Sequence, residues 1–221
     1  MIDLSLKPSE SIYEIEILGS FIPGNYNPMW FFSNDLLGKE EAENATILKA
    51  EHEVVMIFTT NFIRIIVEKN KFRIGTGQLL SFDLVKDMAI SVCKLIKDSI
   101  LNEFSIETCL HITFKNEKLF LKALNSLGNA ERWNNLLANP QSIEFEVQSK
   151  IDLPNKKLKR ILRVSPCGRS DMKNTLHVYV FNVFTLKKEK TSVWEVIEED
   201  TTTLNASITL INDLNDLHFK N

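Results

Sequence analysis

Glycine and proline are scarce. Seven glycines and six prolines in 221 residues leave no long flexible linker and no low-complexity segment. Cysteine is scarce too. Cys93, Cys109 and Cys167 are odd in number and widely spaced, with no CxxC pair. That argues against a disulfide framework and against a zinc knuckle, and sets a reducing cytosol as the default. Apolar runs such as "VVMIF" and "VYVF" are short, far below the roughly 20 residues of a membrane-spanning helix. Positive charge is not in excess: the net charge is −3 and the pI about 5.9. Nothing in bulk charge advertises nucleic acid or a membrane surface. The opening "MIDLSLKPSE" has neither a basic n-region nor an apolar h-region, so no signal peptide is expected and the protein is read as cytoplasmic.

What is present is ordinary for a globular chain: 44% hydrophobic and 25% charged residues. The length suits one large domain or two small ones sharing a core. "IYEIEIL" (12–18) alternates apolar and acidic residues, as a half-buried strand does. "GSFIPGNYNP" breaks it, and "PMWFFSNDLLGKEEAENA" predicts one helix or two short ones interrupted near Gly38. "EVVMIFTTNFIRIIVEKNKFRIGTG" is rich in β-branched and aromatic residues; turns at Thr60-Asn61 and Lys69-Asn70 divide it into three antiparallel strands. Phe82, Val85, Ala89, Val92 and Ile96 then recur at helical spacing, with Ser81 as N-cap.

The second half repeats this order. "FSIETCLHITF" predicts a strand. "NEKLFLKALNSLG" predicts a helix capped by Asn116 and stopped by Gly128, and "NAERWNNLLANP" a second short one. "SIEFEVQSK", "KLKRILRVS" and "TLHVYVFNVF" predict three strands. A long final helix is expected from Val193, with Ile197, Leu204, Ile208, Ile211 and Asn215 on one stripe that Thr201 to Thr203 weakens. The fold class is therefore α+β: two fused β-α-β-β-β-α halves, residues 1–103 and 104–221, joined in one mainly antiparallel sheet with long helices on one face. This element order resembles the tandem saddle of the TATA-box-binding-protein-like fold. The resemblance spans nearly the whole chain but carries no shared motif, so it implies a fold and no function. Phe58, Ile63, Ile65, Val67, Ile112, Phe114, Phe145, Val147, Val178 and Val180 are the expected buried strand residues.

If helices cover one sheet face, strand alternation says what the other displays. Glu14 and Glu16 would stand there, with Glu144, Glu146 and Gln148, with Arg64 and Glu68, and with Lys159, Ile161 and Arg163. Such a mixed face suits a duplex poorly, because glutamates repel phosphates. The one concentrated positive run is "KKLKRILR" (156–163). Its plainest role is an edge strand guarded by lysines; its sharper role is a phosphate-contacting strip of Lys156, Lys157, Lys159, Arg160 and Arg163, with Arg169 nearby.

The most site-like stretch is "SPCGRSDMKN" (165–174). A cysteine phosphatase loop needs an arginine six residues after the cysteine, but that position is Lys173, and Arg169 comes too soon. A strand rather than a helix follows, so no helix terminus faces an anion. A nucleophile elbow fails on the same ground. The stretch reads as a hairpin connection, and Cys167 as no nucleophile. "RIGTGQLLSFD" is likewise a strand end and a helix start without a phosphate-binding glycine pattern. His52, His111, His177 and His218 have no metal-motif spacing, so no metal and no other cofactor is expected. His111 does share a strand side with Cys109 and Thr113, and His177 with Tyr179 and Phe181; were the strands neighbours, a Cys/His site could form. Tyr26, Trp30 and Phe31 cap a core or anchor a partner.

No catalytic residue stands out. The expectation is a non-enzymatic cytosolic binding or scaffold protein, working through a protein partner or as a homodimer. Accessory subunits of bacterial multi-protein systems have this plain character, and the Asn-, Lys- and Ile-rich composition fits an AT-rich microbial genome. The alternatives are a nucleic-acid-binding module on strand 156–163, and an enzyme whose site is assembled from scattered residues.

Overall fold

The computed structural model describes residues 10–78, 81–128, 144–187, 192–200 and 209. The chain opens with strand β1 (Glu10–Gly19), whose alternating exposure puts Tyr13, Ile15 and Ile17 inside and the glutamates outside. A 3-10 turn (Pro23–Asn25) leads to helix α1 (Pro28–Ser33). Asn27 caps α1 by accepting a hydrogen bond from the Trp30 N–H at 3.1 Å, and Pro28 fills the first helical position. Helix α2 (Lys39–Glu43) follows, its entry held by the Gly38 N–H donating to Glu41 Oε2 at 2.8 Å.

Strands β2 (Thr46–Glu51), β3 (Val55–Thr60), β4 (Ile63–Glu68) and β5 (Lys71–Thr76) come next. The last three match the expected trio and turn where expected. Asn61 lies at φ 47°, a left-handed conformation that asparagine tolerates. β2 was not anticipated. All six of its residues are exposed, so it has no burial period to read; pairing with β3 makes it a strand. Helix α3 (Phe82–Leu95) buries Phe82, Val85, Met88, Ala89, Val92 and Cys93 along the predicted stripe. Ser81 holds the N-cap position without a side-chain cap bond.

Strand β6 (Ile100–Thr113) runs across residues 103 and 104, so the expected division falls inside one strand. Helix α4 (Glu117–Gly128) begins with Asn116 Oδ1 accepting from the Leu119 N–H at 3.0 Å. The short helix expected over 129–140 lies outside the described residues. Strands β7 (Phe145–Asp152), β8 (Lys156–Pro166) and β9 (Thr175–Leu186) then meander, and helix α5 (Val193–Glu199) closes the described chain. The long final helix is not continuous: Asp200 is extended at φ −76° and ψ 96°, just ahead of the β-branched run Thr201 to Thr203. The rest of that expected stripe lies outside the described residues.

All nine strands form one antiparallel sheet in the order β2-β3-β4-β5-β1-β6-β9-β8-β7. β1 and β6 pair antiparallel near the centre of the sheet, with Ile15 opposite Ile106. One face is covered. Ile15, Ile17, Phe58, Ile65, Phe72 and Phe104 are at most 1% exposed and share a core with Val85 and Val92 of α3 and Val196 and Ile197 of α5. Each such side chain stabilises by about 1.5–3 kcal/mol through area removed from water. Lys86 Nζ reaches the Glu198 carbonyl at 2.7 Å and ties α3 to α5. A smaller cluster joins Leu110, Ile112, Val164, Leu176 and Val178 to Ala123 and Leu124 of α4.

Two expectations need correcting. Phe145 is half-exposed and Val147 is 49% exposed, although both lie on β7 and face the covered side. β7 is an edge strand, and alternation alone does not supply a cover. The basic strand β8 is not an edge: β7 and β9 hydrogen-bond it on both sides, so its lysines guard nothing. Among the described residues no helix is long and apolar enough to cross a membrane.

Candidate functional site

The second sheet face carries the side chains that alternation left over. Across β4, β5 and β1 it shows an ion-pair lattice. Arg73 lies 2.9 Å from Glu68, 3.8 Å from Glu14 and 3.9 Å from Glu16, while Lys71 lies 3.7 Å from Glu16 and 3.8 Å from Glu68. Gly75 sits under this lattice because a Cβ there would come within 3.0 Å of the Tyr13 carbonyl and 3.3 Å of Glu14. Across β9 and β8 the face turns aromatic and apolar. The His177, Tyr179 and Phe181 rings line up at 6.1 and 5.8 Å. Ile161 is the register partner of Phe181.

Between these regions lies the densest chemical cluster. Cys109 and His111 are two apart on β6 and point to the same face, and His177 on β9 is directly opposite His111. Their ligand atoms all lie within 4.8 Å of one another, and the two imidazoles are 5.0 Å apart between ring centres. Glu10 on β1 is the register partner of His111, with Oε2 at 3.5 Å from Nδ1. Arg169 reaches in from the β8–β9 hairpin, its Nη1 at 2.6 Å from Glu10 Oε2 and its Nη2 at 2.7 Å from Asp171 Oδ2. No known protein family matches the sequence, and no curated protein matches it.

The protonation states follow from burial. Burial holds both imidazoles below the ordinary histidine value, so they are neutral, with lone pairs, near pH 7. Burial, then the Glu107, Cys167 and Glu10 charges, push the Cys109 thiol up to about 12. Glu107 is pushed up to about 7 by burial and by Glu14, against a hydrogen bond from Tyr179. Tyr179 is raised in turn by burial and by Glu107.

The residues singled out in the sequence scatter. Tyr26 and Phe31 are buried, with Tyr26 edge-on to Phe72 at 5.5 Å and Phe31 6.3 Å from it. Only Trp30 of that trio keeps partial exposure. The basic run is divided by alternation. Lys157, Lys159 and Arg163 share the face with Tyr179, whereas Lys156 and Arg160 point to the other. Most are engaged: Lys156 lies 3.6 Å from Glu199, Arg160 donates to Asn182 at 2.9 Å, and Arg163 lies 2.8 Å from Glu144 and 2.5 Å from Glu146. The hairpin has the turn-and-strand form expected of it, with Asn174 at φ 53°. Cys167 is half-exposed and its thiol contacts Met172 Sδ at 3.7 Å. Glu10 and Glu107 escaped the sequence reading. Each is unremarkable on its own strand, and only cross-strand register brings them to the histidines.

Proposed function

We propose that this chain is a non-enzymatic binding protein that takes a protein partner across the sheet face that no helix covers among the described residues. Its two halves are arranged, on this proposal, in the manner of the TATA-box-binding-protein-like fold, with β1 and β6 at the seam. The observation that carries it is the row His177, Tyr179 and Phe181. Half-exposed aromatic rings in a line on an interior strand are the groups that anchor protein interfaces. Arg73 and Arg163 on that face are already paired with glutamates, so a partner covers them as formed ion pairs. Glu10, Glu14, Glu16 and Glu107 on the same face disfavour a polyanion.

The test is affinity capture with quantitative mass spectrometry, run on the wild-type chain, on a Tyr179→Asp/Phe181→Asp variant, and on a control bearing Leu48→Asp on the exposed edge strand β2. Proteins retained by wild type and control but lost from the face variant support the proposal. Retention that ignores the face variant sinks it. A nucleic-acid reading rests on Lys157 and Lys159, which have no ion pair among the described residues and flank a depression of about 320 Å³ beside β7. It requires binding in a low-salt gel-shift titration that Lys159→Glu with Arg163→Glu abolishes, the salt slope falling by about one unit per lost phosphate contact.

A further inference from the structure

We propose that Cys109, His111 and His177 form a binding site for one divalent transition-metal ion of the zinc class. The proposal needs no partner, although His177 also belongs to the ring row of the protein-partner reading. Three donors from two adjacent strands converge with ligand atoms within 4.8 Å of one another. In a tetrahedral zinc site, with bonds of about 2.3 Å to sulfur and about 2.0–2.1 Å to nitrogen, neighbouring donors are about 3.3–3.6 Å apart. Closing the difference takes side-chain movement of up to about 1.2–1.5 Å on a backbone already in register. Nothing in the strands has to move, because Cys109 and His111 share a face by the two-residue strand period and His177 is the Cα partner of His111.

The donor set selects the metal. One sulfur and two imidazoles suit zinc, cobalt or copper and not magnesium or calcium, which take oxygen ligands. Cys109 and His111 are buried and His177 is half-buried, with Glu10 of β1 directly opposite His111. On coordination the thiol proton leaves to water and the sulfur–metal bond takes its place. Glu10, facing His111 Nδ1 at 3.5 Å, stands where a carboxylate orients a metal-bound imidazole from behind. Three protein ligands leave a fourth position for water or for a group of a bound partner.

The experiment uses the full chain stripped with a chelator and titrated with cobalt(II), then with zinc in competition with a chromophoric chelator. We expect one equivalent of cobalt to give tetrahedral ligand-field bands and a sulfur-to-cobalt charge-transfer band. Cys109→Ser should abolish the charge-transfer band, and Cys167→Ser should keep it. His111→Gln and His177→Gln should each lower zinc affinity by more than the roughly 10–100-fold that loss of an outer hydrogen-bond partner costs. If Cys109→Ser does not fold, as judged by circular dichroism, the two histidine variants decide. Absence of cobalt bands in the wild type overturns the proposal, as does unchanged zinc affinity in both histidine variants.

Discussion

The two wings of the sheet alternate in the same way and are buried very differently. On the β2–β5 wing, the strand next to the edge, β3, buries Phe58 completely, and β4 buries Ile65 and Val67 completely. On the β9–β7 wing, the strand next to the edge, β8, is mostly half-exposed, and β7 beyond it leaves Val147 49% and Ile151 42% exposed. The first wing has an aromatic plug in which Phe21, Tyr26 and Phe31 converge on Phe72 at 5.9, 5.5 and 6.3 Å. The second has α4 seated over a small cluster of aliphatic side chains and Phe114, and only Leu158, Phe184 and Leu186 at its other end join the larger core among the described residues. A strand's period says which side chains share a face; what lies over that face decides how much they stabilise.

The largest effect is expected at Phe72. Phe72→Ala removes the ring on which three others converge and should cost about 3–5 kcal/mol in urea denaturation. A loss below about 1 kcal/mol would show that the aromatic plug is loosely packed, and the contrast between wings would collapse. Leu110→Ala, in the smaller cluster but fully buried, should cost about 2–5 kcal/mol. Its place within that range measures how well α4 closes over the site. A cost near the upper end would make the second core as tight as the first, only smaller.

A pH effect should come next, from the seam between the wings. Burial raises the Glu14 carboxyl above its ordinary value, with Arg73, Arg64 and Lys71 opposing and Glu16 reinforcing; Glu107 faces it from β6. The folded state then holds this proton more tightly than the unfolded chain. The contribution is present below the ordinary carboxylate value and is lost as pH rises through the raised folded value. Urea midpoints measured across that window should fall less steeply for Glu14→Gln than for wild type; parallel curves would show Glu14 to be well solvated. The smallest effect is expected at Val147→Ala on the β7 edge, within about 0.5 kcal/mol. A cost comparable to Leu110→Ala would mean that β7 is covered in solution, and the wings would be alike after all.

Much of this architecture was legible. The alternation of "IYEIEIL", the aromatic β-rich run after Glu53 and the stripe from Phe82 each carry a period, and each formed the element its period predicts. β2 was invisible because "TILKAE" has no buried face to imprint a period. Burial at Phe145 and Val147 was over-read because exposure depends on a neighbouring layer, which no local pattern encodes. The site was half legible. Which residues share a side with His111 and with His177 followed from alternation; that β6 and β9 are neighbours, and in what register, is a long-range fact. The basic run misled for the opposite reason. Its eight residues look like one patch in one dimension, and a strand sends alternate ones to opposite faces.

The seam also sets how the chain must come together in time. Ile15 pairs with Ile74 on one side and with Ile106 on the other, so β1, the first described strand to be synthesised, has no partner until β5 exists and no second one until β6 follows. Such distant closures are slow, because chain entropy is lost before the contacts that reward it form. Until β5 exists β1 offers two bare edges, and until β6 follows it offers one, together with the apolar row Tyr13, Ile15 and Ile17, to any other chain. A nascent chain halted before residue 100 should therefore be the species most prone to aggregate, and its glutamates at positions 14 and 16 act then as gatekeepers, holding identical strands apart by like-charge repulsion.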